Sequence, residues 1–168
     1  MKIFLMGFMG SGKSTIGKKL ANKLNCTHID LDTLIERNYN TSIYNIFIKS
    51  GENQFRKLES ITLKSISTSN IVISTGGGTP CFLDNIKWIK ENGISIYLTL
   101  DEKSIYNRLK KSKKDRPLIN SLNDNELKKF IKRSLTEREK FYNEANIRTK
   151  SLNLKIKDLI KLINDYSK

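Results

Sequence analysis

The chain of 168 residues is poor in several things, and each shortage excludes a class of protein. It has two cysteines, Cys26 and Cys81, isolated from one another and without a C-x-x-C spacing. That is too few for a disulfide framework or a cysteine-rich zinc site, and two reduced thiols suit a cytoplasmic protein. Two prolines and nine glycines exclude collagen-like and linker-rich chains. No apolar run approaches the roughly 18 residues of a membrane-spanning helix, because the longest candidate, Ile3 to Met9, is interrupted at Gly7. The N-terminal stretch has one lysine and no small-residue cleavage site, so it is expected to be a first strand and not a leader. Acidic residues are also scarce: 17 against 31 Lys and Arg, a net charge of +14. The excess is mostly scattered lysine. Only Lys103 to Arg116 concentrates it, with seven basic residues and one acid, Asp115. Neither a nucleic-acid partner nor a membrane partner is expected from that distribution.

What remains is an ordinary globular composition, 38% hydrophobic and 29% charged, with the length of one domain. Apolar periodicity alternates along it. Lys2–Met6 reads as a buried strand, and Ser14–Asn25, with Ile16, Leu20 and Leu24 four apart, reads as an amphipathic helix. A strand over His28–Leu31, one or two short helices to Gly51, and a helix through Phe55, Leu58, Ile61 and Ile66 follow. Next come a strand at Ile71–Ile73, a helix from Phe82 through Ile89, a strand at Ile94–Leu100 and a helix capped by Asp101. Ser112–Asp124 lacks periodicity and is expected to be a mobile loop; a helix over Glu126–Glu144, a strand near Ile147 and a helix through Ile163 complete the chain. The pattern predicts an α/β fold, a three-layer sandwich with a mostly parallel five-stranded sheet flanked by helices.

Gly7, Gly12, Lys13 and Ser14 stand at the spacing G-x-x-x-x-G-K-S between a predicted strand and a predicted helix. Such a loop presents many backbone N–H groups and a helix N-terminus to a polyphosphate, which side chains would otherwise obstruct. Lys13 supplies a point charge for the β- and γ-phosphates, and Ser14 a hydroxyl for Mg²⁺. A nucleoside triphosphate is therefore an expected ligand. N-K-x-D and D-x-x-G sequences are absent, which argues against a GTPase switch. Asp30 and Asp32, two apart at the end of the second predicted strand, are expected to project to one side, one toward hydrated Mg²⁺ and the other toward an acceptor hydroxyl. The competing reading is an exposed pair in which Asp32 caps the next helix. Gly76, Gly77 and Gly78 follow the third strand, as expected of a tight turn or of close ligand approach.

Taken together, Gly7 to Thr15, Asp30-Leu31-Asp32, Gly51 to Arg56, Gly76-Gly77-Gly78, Arg116-Pro117-Leu118 and Arg138 followed by Tyr142 resemble the shikimate kinase family over nearly the whole chain. The resemblance implies a P-loop kinase fold with a mobile lid, one domain over residues 1–168, a substrate-binding region near 33–60 and a lid near 110–124. It implies ATP-dependent phosphorylation of the 3-hydroxyl of shikimate, with ATP and Mg²⁺ as cofactors. The ATP would lie on Gly10, Ser11, Gly12, Lys13, Ser14 and Thr15, with Arg108 against adenine and Arg116 reaching the γ-phosphate. Ser14 and, through water, Asp30 would hold Mg²⁺. Asp32 would activate the acceptor hydroxyl, Arg56 and Arg138 would hold the carboxylate, Gly77 and Gly78 would offer backbone to a hydroxyl, and Phe47 and Phe55 would line the ring. Lys13, Asp32 and Arg116 would be the catalytic set, in a cytoplasmic monomer acting on small molecules. The Lys-rich stretch Lys110–Lys114 departs from the family pattern. Two rivals remain open at this level: a kinase for another hydroxy acid such as gluconate, which should lack the Arg56 and Arg138 pair, and a basic nucleic-acid-binding ATPase, which salt-dependent retention on DNA or RNA would reveal.

Overall fold

A computed structural model describes residues 1–112 and 116–168. The sheet has five strands, β1 (Lys2–Met6), β2 (Thr27–Asp30), β3 (Ile71–Ser74), β4 (Ile94–Thr99) and β5 (Ile147–Lys150), in the order β2-β3-β1-β4-β5. All four pairings are parallel, with Leu5 opposite Ser74, Asp30 opposite Ser74, Met6 opposite Tyr97 and Thr99 opposite Lys150. Parallel strands need crossovers, and helices α1 (Lys13–Lys23), α2 (Leu31–Tyr39), α3 (Ile43–Lys64) and α4 (Asn85–Asn92) supply the first of them. Helices α5 (Glu102–Lys111), α6 (Asp124–Tyr142) and α7 (Ile156–Tyr166) complete the outer layers.

The alternation within β1 makes the two cores. Phe4 and Met6 pack on one face with Leu31, Ile35, Leu63 and Ile89, while Ile3 and Leu5 pack on the other with Leu20, Leu159 and Ile163. These central side chains are wholly buried, each contributing about 1.5–3 kcal/mol relative to exposure. A third cluster, Phe8 with Ile105, Leu109, Leu127 and Ile131, docks α5 and α6 beside the loop that follows β1. The carboxyl ends of β1, β2 and β3 thus converge on one rim, where open parallel sheets bind ligands.

Several boundaries differ from the sequence expectations. Strand β2 stops at Asp30, since Leu31 already opens α2. Gly51, with a φ of 76° and a ψ of 170°, breaks α3 into a short helix and a longer one that abut at the kink, the division expected there. The helix expected from Phe82 begins at Asn85: Thr79–Cys81 forms a 3₁₀ turn around Pro80, and Leu83 and Asp84 take left-handed φ of 49° and 55°. Helix α6 starts at Asp124 because Asn123 and Glu126 form a reciprocal capping box. Of the lid expected near 110–124, Lys113–Asp115 lie outside the described residues. Arg116–Leu122 forms successive turns, with the Ile119 and Asn120 N–H groups donating to the Arg116 carbonyl, and Ile119 and Leu122 pack on the third cluster.

Candidate active site

The loop between β1 and α1 wraps the helix N-terminus. Gly12, immediately before the helix, has φ 95°, a conformation that a side chain would strain. Lys13 is buried, and its Nζ donates to the carbonyls of Gly7 (2.7 Å) and Phe8 (2.9 Å). Burial lowers its pKa to about 8, with the Asp32 and Asp30 carboxylates opposing and the Arg116 and Arg138 guanidinium groups reinforcing the shift. Arg108, exposed on α5, donates from Nη1 to the Gly10 carbonyl at 2.9 Å and so lies across the loop. A cavity of about 620 Å³ opens here; Gly10 to Thr15, Asp30, Arg108 and Arg116 line it.

Asp30 ends β2 and caps α2, accepting from the Thr33 N–H at 3.4 Å and from the Ser14 hydroxyl. Asp32 lies in the first turn of α2. The two carboxylates are therefore not brought together by strand alternation, and the capping role belongs to Asp30 and not Asp32. Among the described residues no group of three or more His, Cys, Asp or Glu could hold a metal. The paired oxygens of Ser14 and Asp30 fit Mg²⁺, a hard cation that takes few protein oxygens and completes its shell with phosphate and water.

A second cavity, about 390 Å³, lies beyond Asp32. Phe47 and Phe55 form one wall, ring centroids 4.7 Å apart at 39°. Arg56 is 5% exposed; its Nε and Nη2 meet Glu52 at 3.2 and 2.9 Å, and its Nη1 meets Glu59 at 2.9 Å. Burial works against the Arg56 charge, but Glu59 and then Glu52 outweigh it and hold the guanidinium above its ordinary pKa. Three of its five N–H groups are thus engaged, leaving one on each terminal nitrogen. Glu59 also accepts from the Thr79 hydroxyl at 2.5 Å, and the Phe82 ring lies 4.4 Å from the guanidinium carbon. A Cβ at Gly78 would stand 2.7 Å from both Nη1 and Nη2 of Arg56 and would push the guanidinium from its place beside Glu52 and Glu59.

Arg138 reaches the same cavity from α6, its guanidinium 5.4 Å from the Phe8 ring centre. Arg138 Nη1 and Arg116 Nε are buried without a hydrogen-bond partner among the described residues. Buried donors normally have partners, so two such cationic atoms beside one space point to an anionic ligand. Burial lowers the Arg116 pKa while Asp32 opposes it. Asp32, Gly76, Gly77 and Arg116 line both cavities and form their junction.

All the expected site residues lie on or beside these two cavities. The sequence reading missed Glu52 and Glu59, although their i−4 and i+3 spacing from Arg56 on one helix was a usable signal. The resemblance also puts an adenine-side loop near Ser151 to Asn153, with nothing diagnostic in its residues, and Ser151 and Asn153 do line the first cavity after β5.

A family model described as shikimate kinase matches residues 9–165. The chain belongs to the shikimate kinase family. It is accordingly a phosphotransferase that uses ATP with Mg²⁺ and acts on a hydroxyl of shikimate. A shikimate kinase of Azobacteroides pseudotrichonymphae is 45% identical, over 87% of this chain and 87% of that protein. The crystal structure of shikimate kinase from Bacteroides thetaiotaomicron has 36% identity, a TM-score of 0.92 and 98% coverage of both chains. Shikimate kinase from Acinetobacter baumannii in complex with shikimate has 31% identity and a TM-score of 0.87, covering 98% of this chain and 90% of that one. The family's doubly wound P-loop kinase architecture is the one described above, and no helix among the described residues is long and apolar enough to cross a membrane.

Proposed function

We propose that the 620 Å³ cavity takes ATP and the 390 Å³ cavity takes shikimate, with the γ-phosphoryl group crossing at Asp32, Gly77 and Arg116. The shared lining carries this reading, because phosphoryl transfer is mainly positioning and charge stabilisation at the point where donor and acceptor meet. Gly10 to Thr15 hold the phosphates, and Lys13 is freed from the Gly7 and Phe8 carbonyls to bind them. Ser14 and, through water, Asp30 would hold Mg²⁺, which would supply charge neutralisation at the phosphates. Arg108 lies against adenine, while the loop bearing Ser151 and Asn153 closes that end.

In the second cavity Arg56 and Arg138 take the shikimate carboxylate, Arg56 through its two remaining N–H groups. Arg138 offers the partnerless Nη1. Phe47 and Phe55 pack on the ring, and Gly77 and Gly78 offer backbone to a hydroxyl. Asp32 accepts the proton of the 3-hydroxyl as it attacks, and Arg116 stabilises the transferring group. Residues 1–168 form one kinase domain with a substrate-binding region near 33–60. The segment near 110–124 acts as a lid that keeps water from the phosphoryl group. The protein is a cytoplasmic monomer without a nucleic-acid partner; its charge is spread over scattered lysines.

ADP release from Mg-ATP with shikimate, with gluconate and with no acceptor tests this. Shikimate-dependent ADP with stoichiometric shikimate 3-phosphate is expected. Turnover with gluconate alone, or without dependence on an acceptor, would overturn the assignment of the second cavity.

A further inference from the structure

We propose that Tyr142 is a positioning residue for the acceptor, its hydroxyl fixing the Gly77–Gly78 peptide so that the Gly78 N–H faces the acceptor cavity. This deepens the site reading above and rests on it. Tyr142, the last residue of α6, is wholly buried, and its hydroxyl donates to the Gly77 carbonyl across 65 positions of sequence. It lines neither cavity, so it acts only through what it holds: the Gly77 carbonyl first, and beside it the Arg138 side chain.

Peptide geometry then sets the direction of the Gly78 donor. In a planar trans peptide the carbonyl of one residue and the N–H of the next point opposite ways. No cis peptide occurs among the described residues. With the Gly77 carbonyl turned toward Tyr142, the Gly78 N–H must point away from α6. Gly78 lines the acceptor cavity and not the nucleotide cavity, and its N–H makes no backbone hydrogen bond among the described residues.

Three glycines in sequence would otherwise be the most freely rotating part of the rim. The chain is also crowded at Gly77, where a Cβ would stand 3.0 Å from the Met9 nitrogen and 3.7 Å from Arg138 Nη1. The Tyr142 ring cannot swing, since it stacks on Tyr97 at 4.9 Å and 31°. Burial pushes the hydroxyl pKa well up, with the Arg138 guanidinium opposing, so the group stays a donor throughout the working pH range. One helix thus carries both Arg138 and, a turn later, the tyrosine that sets the backbone beside it.

Tyr142→Phe keeps the ring and removes only the hydroxyl, which donates to Gly77 and also meets the Arg138 side chain. The expected result is a shikimate KM raised about 5- to 10-fold, the equivalent of one lost hydrogen bond, with the ATP KM and kcat within about threefold of wild type. Arg138→Leu runs beside it as the control for the site. An unchanged shikimate KM in Tyr142→Phe, with a raised one in Arg138→Leu, overturns the positioning role and leaves the acceptor site standing. Parallel rises in both KM values together with a fall in kcat in Tyr142→Phe also overturn it, because they mark a merely structural tyrosine. No change in either variant overturns the positioning role and the acceptor site together.

Discussion

The two cavities meet at Asp32, Gly77 and Arg116, yet they are built in opposite ways. The cavity proposed for the nucleotide is built chiefly around one short segment, Gly10 to Thr15, which presents backbone and a helix N-terminus. The cavity proposed for the acceptor is assembled from α2, α3, the glycine run, the turn after Arg116 and α6, and its most buried cation, Arg56, is held by Glu52 and Glu59. A site made of backbone tolerates change around it but not within it. A site made of borrowed side chains fails when a supporting residue, remote from the substrate, is altered.

Changes at the junction should hurt most, because they remove what both sides share. Arg116→Ala should lower kcat about 10³-fold or more while ATP binding persists, as measured by steady-state turnover beside nucleotide titration. A fully active variant would leave the two cavities without their common cation. Asp32→Asn should lower kcat roughly 10²- to 10⁴-fold, and near-normal turnover would reduce Asp32 to a binding group.

One step further into the acceptor side, Arg56→Leu should raise the shikimate KM and leave the ATP KM alone. It should also destabilise the protein by about 3–5 kcal/mol, because Glu59, 0% exposed, loses its buried partner. Arg56→Leu combined with Glu59→Leu should recover much of the thermal stability but none of the shikimate affinity. If stability and affinity return together, Arg56 is a structural residue and the contrast between the cavities fails.

The gentlest probe is pH. Lys13, with its pKa lowered to about 8, is charged below that pH and loses its charge above it. The kcat/KM for ATP reports the free enzyme and should fall as pH rises through about 8. The kcat/KM for shikimate at saturating ATP should not fall there, since bound phosphates keep Lys13 protonated. A parallel fall in both would mean that Lys13 governs the acceptor side as well.

Much of this was legible before any coordinates. The P-loop could be read because its conformation depends on residues within a few positions of one another, as the helix-opening Gly12 at φ 95° illustrates. Asp30 and Asp32 were legible as residues of the rim but with the wrong geometry: the strand ends at Asp30, and the capping aspartate and the start of α2 bring the carboxylates there. Phe82 was read as a helical core residue, yet the 3₁₀ turn around Pro80 leaves it outside α4 and against Arg56. Glu59 looked like any charged residue on an amphipathic helix until packing buried it with Arg56 and Thr79.

The sequence by itself determined the order of strands and helices, the phosphate loop, and the supply of arginines and carboxylates. Those follow from apolar periodicity and from backbone conformations that a few neighbouring residues dictate. Only the tertiary structure decided which of those charges stand together: Arg108 over Gly10, 98 positions away, Thr79 on Glu59, 20 away, and Tyr142 behind Gly77, 65 away. The reason is physical. Such contacts depend on how the five strands are ordered and how α5 and α6 dock on Phe8, and no local propensity encodes a distance across the sheet.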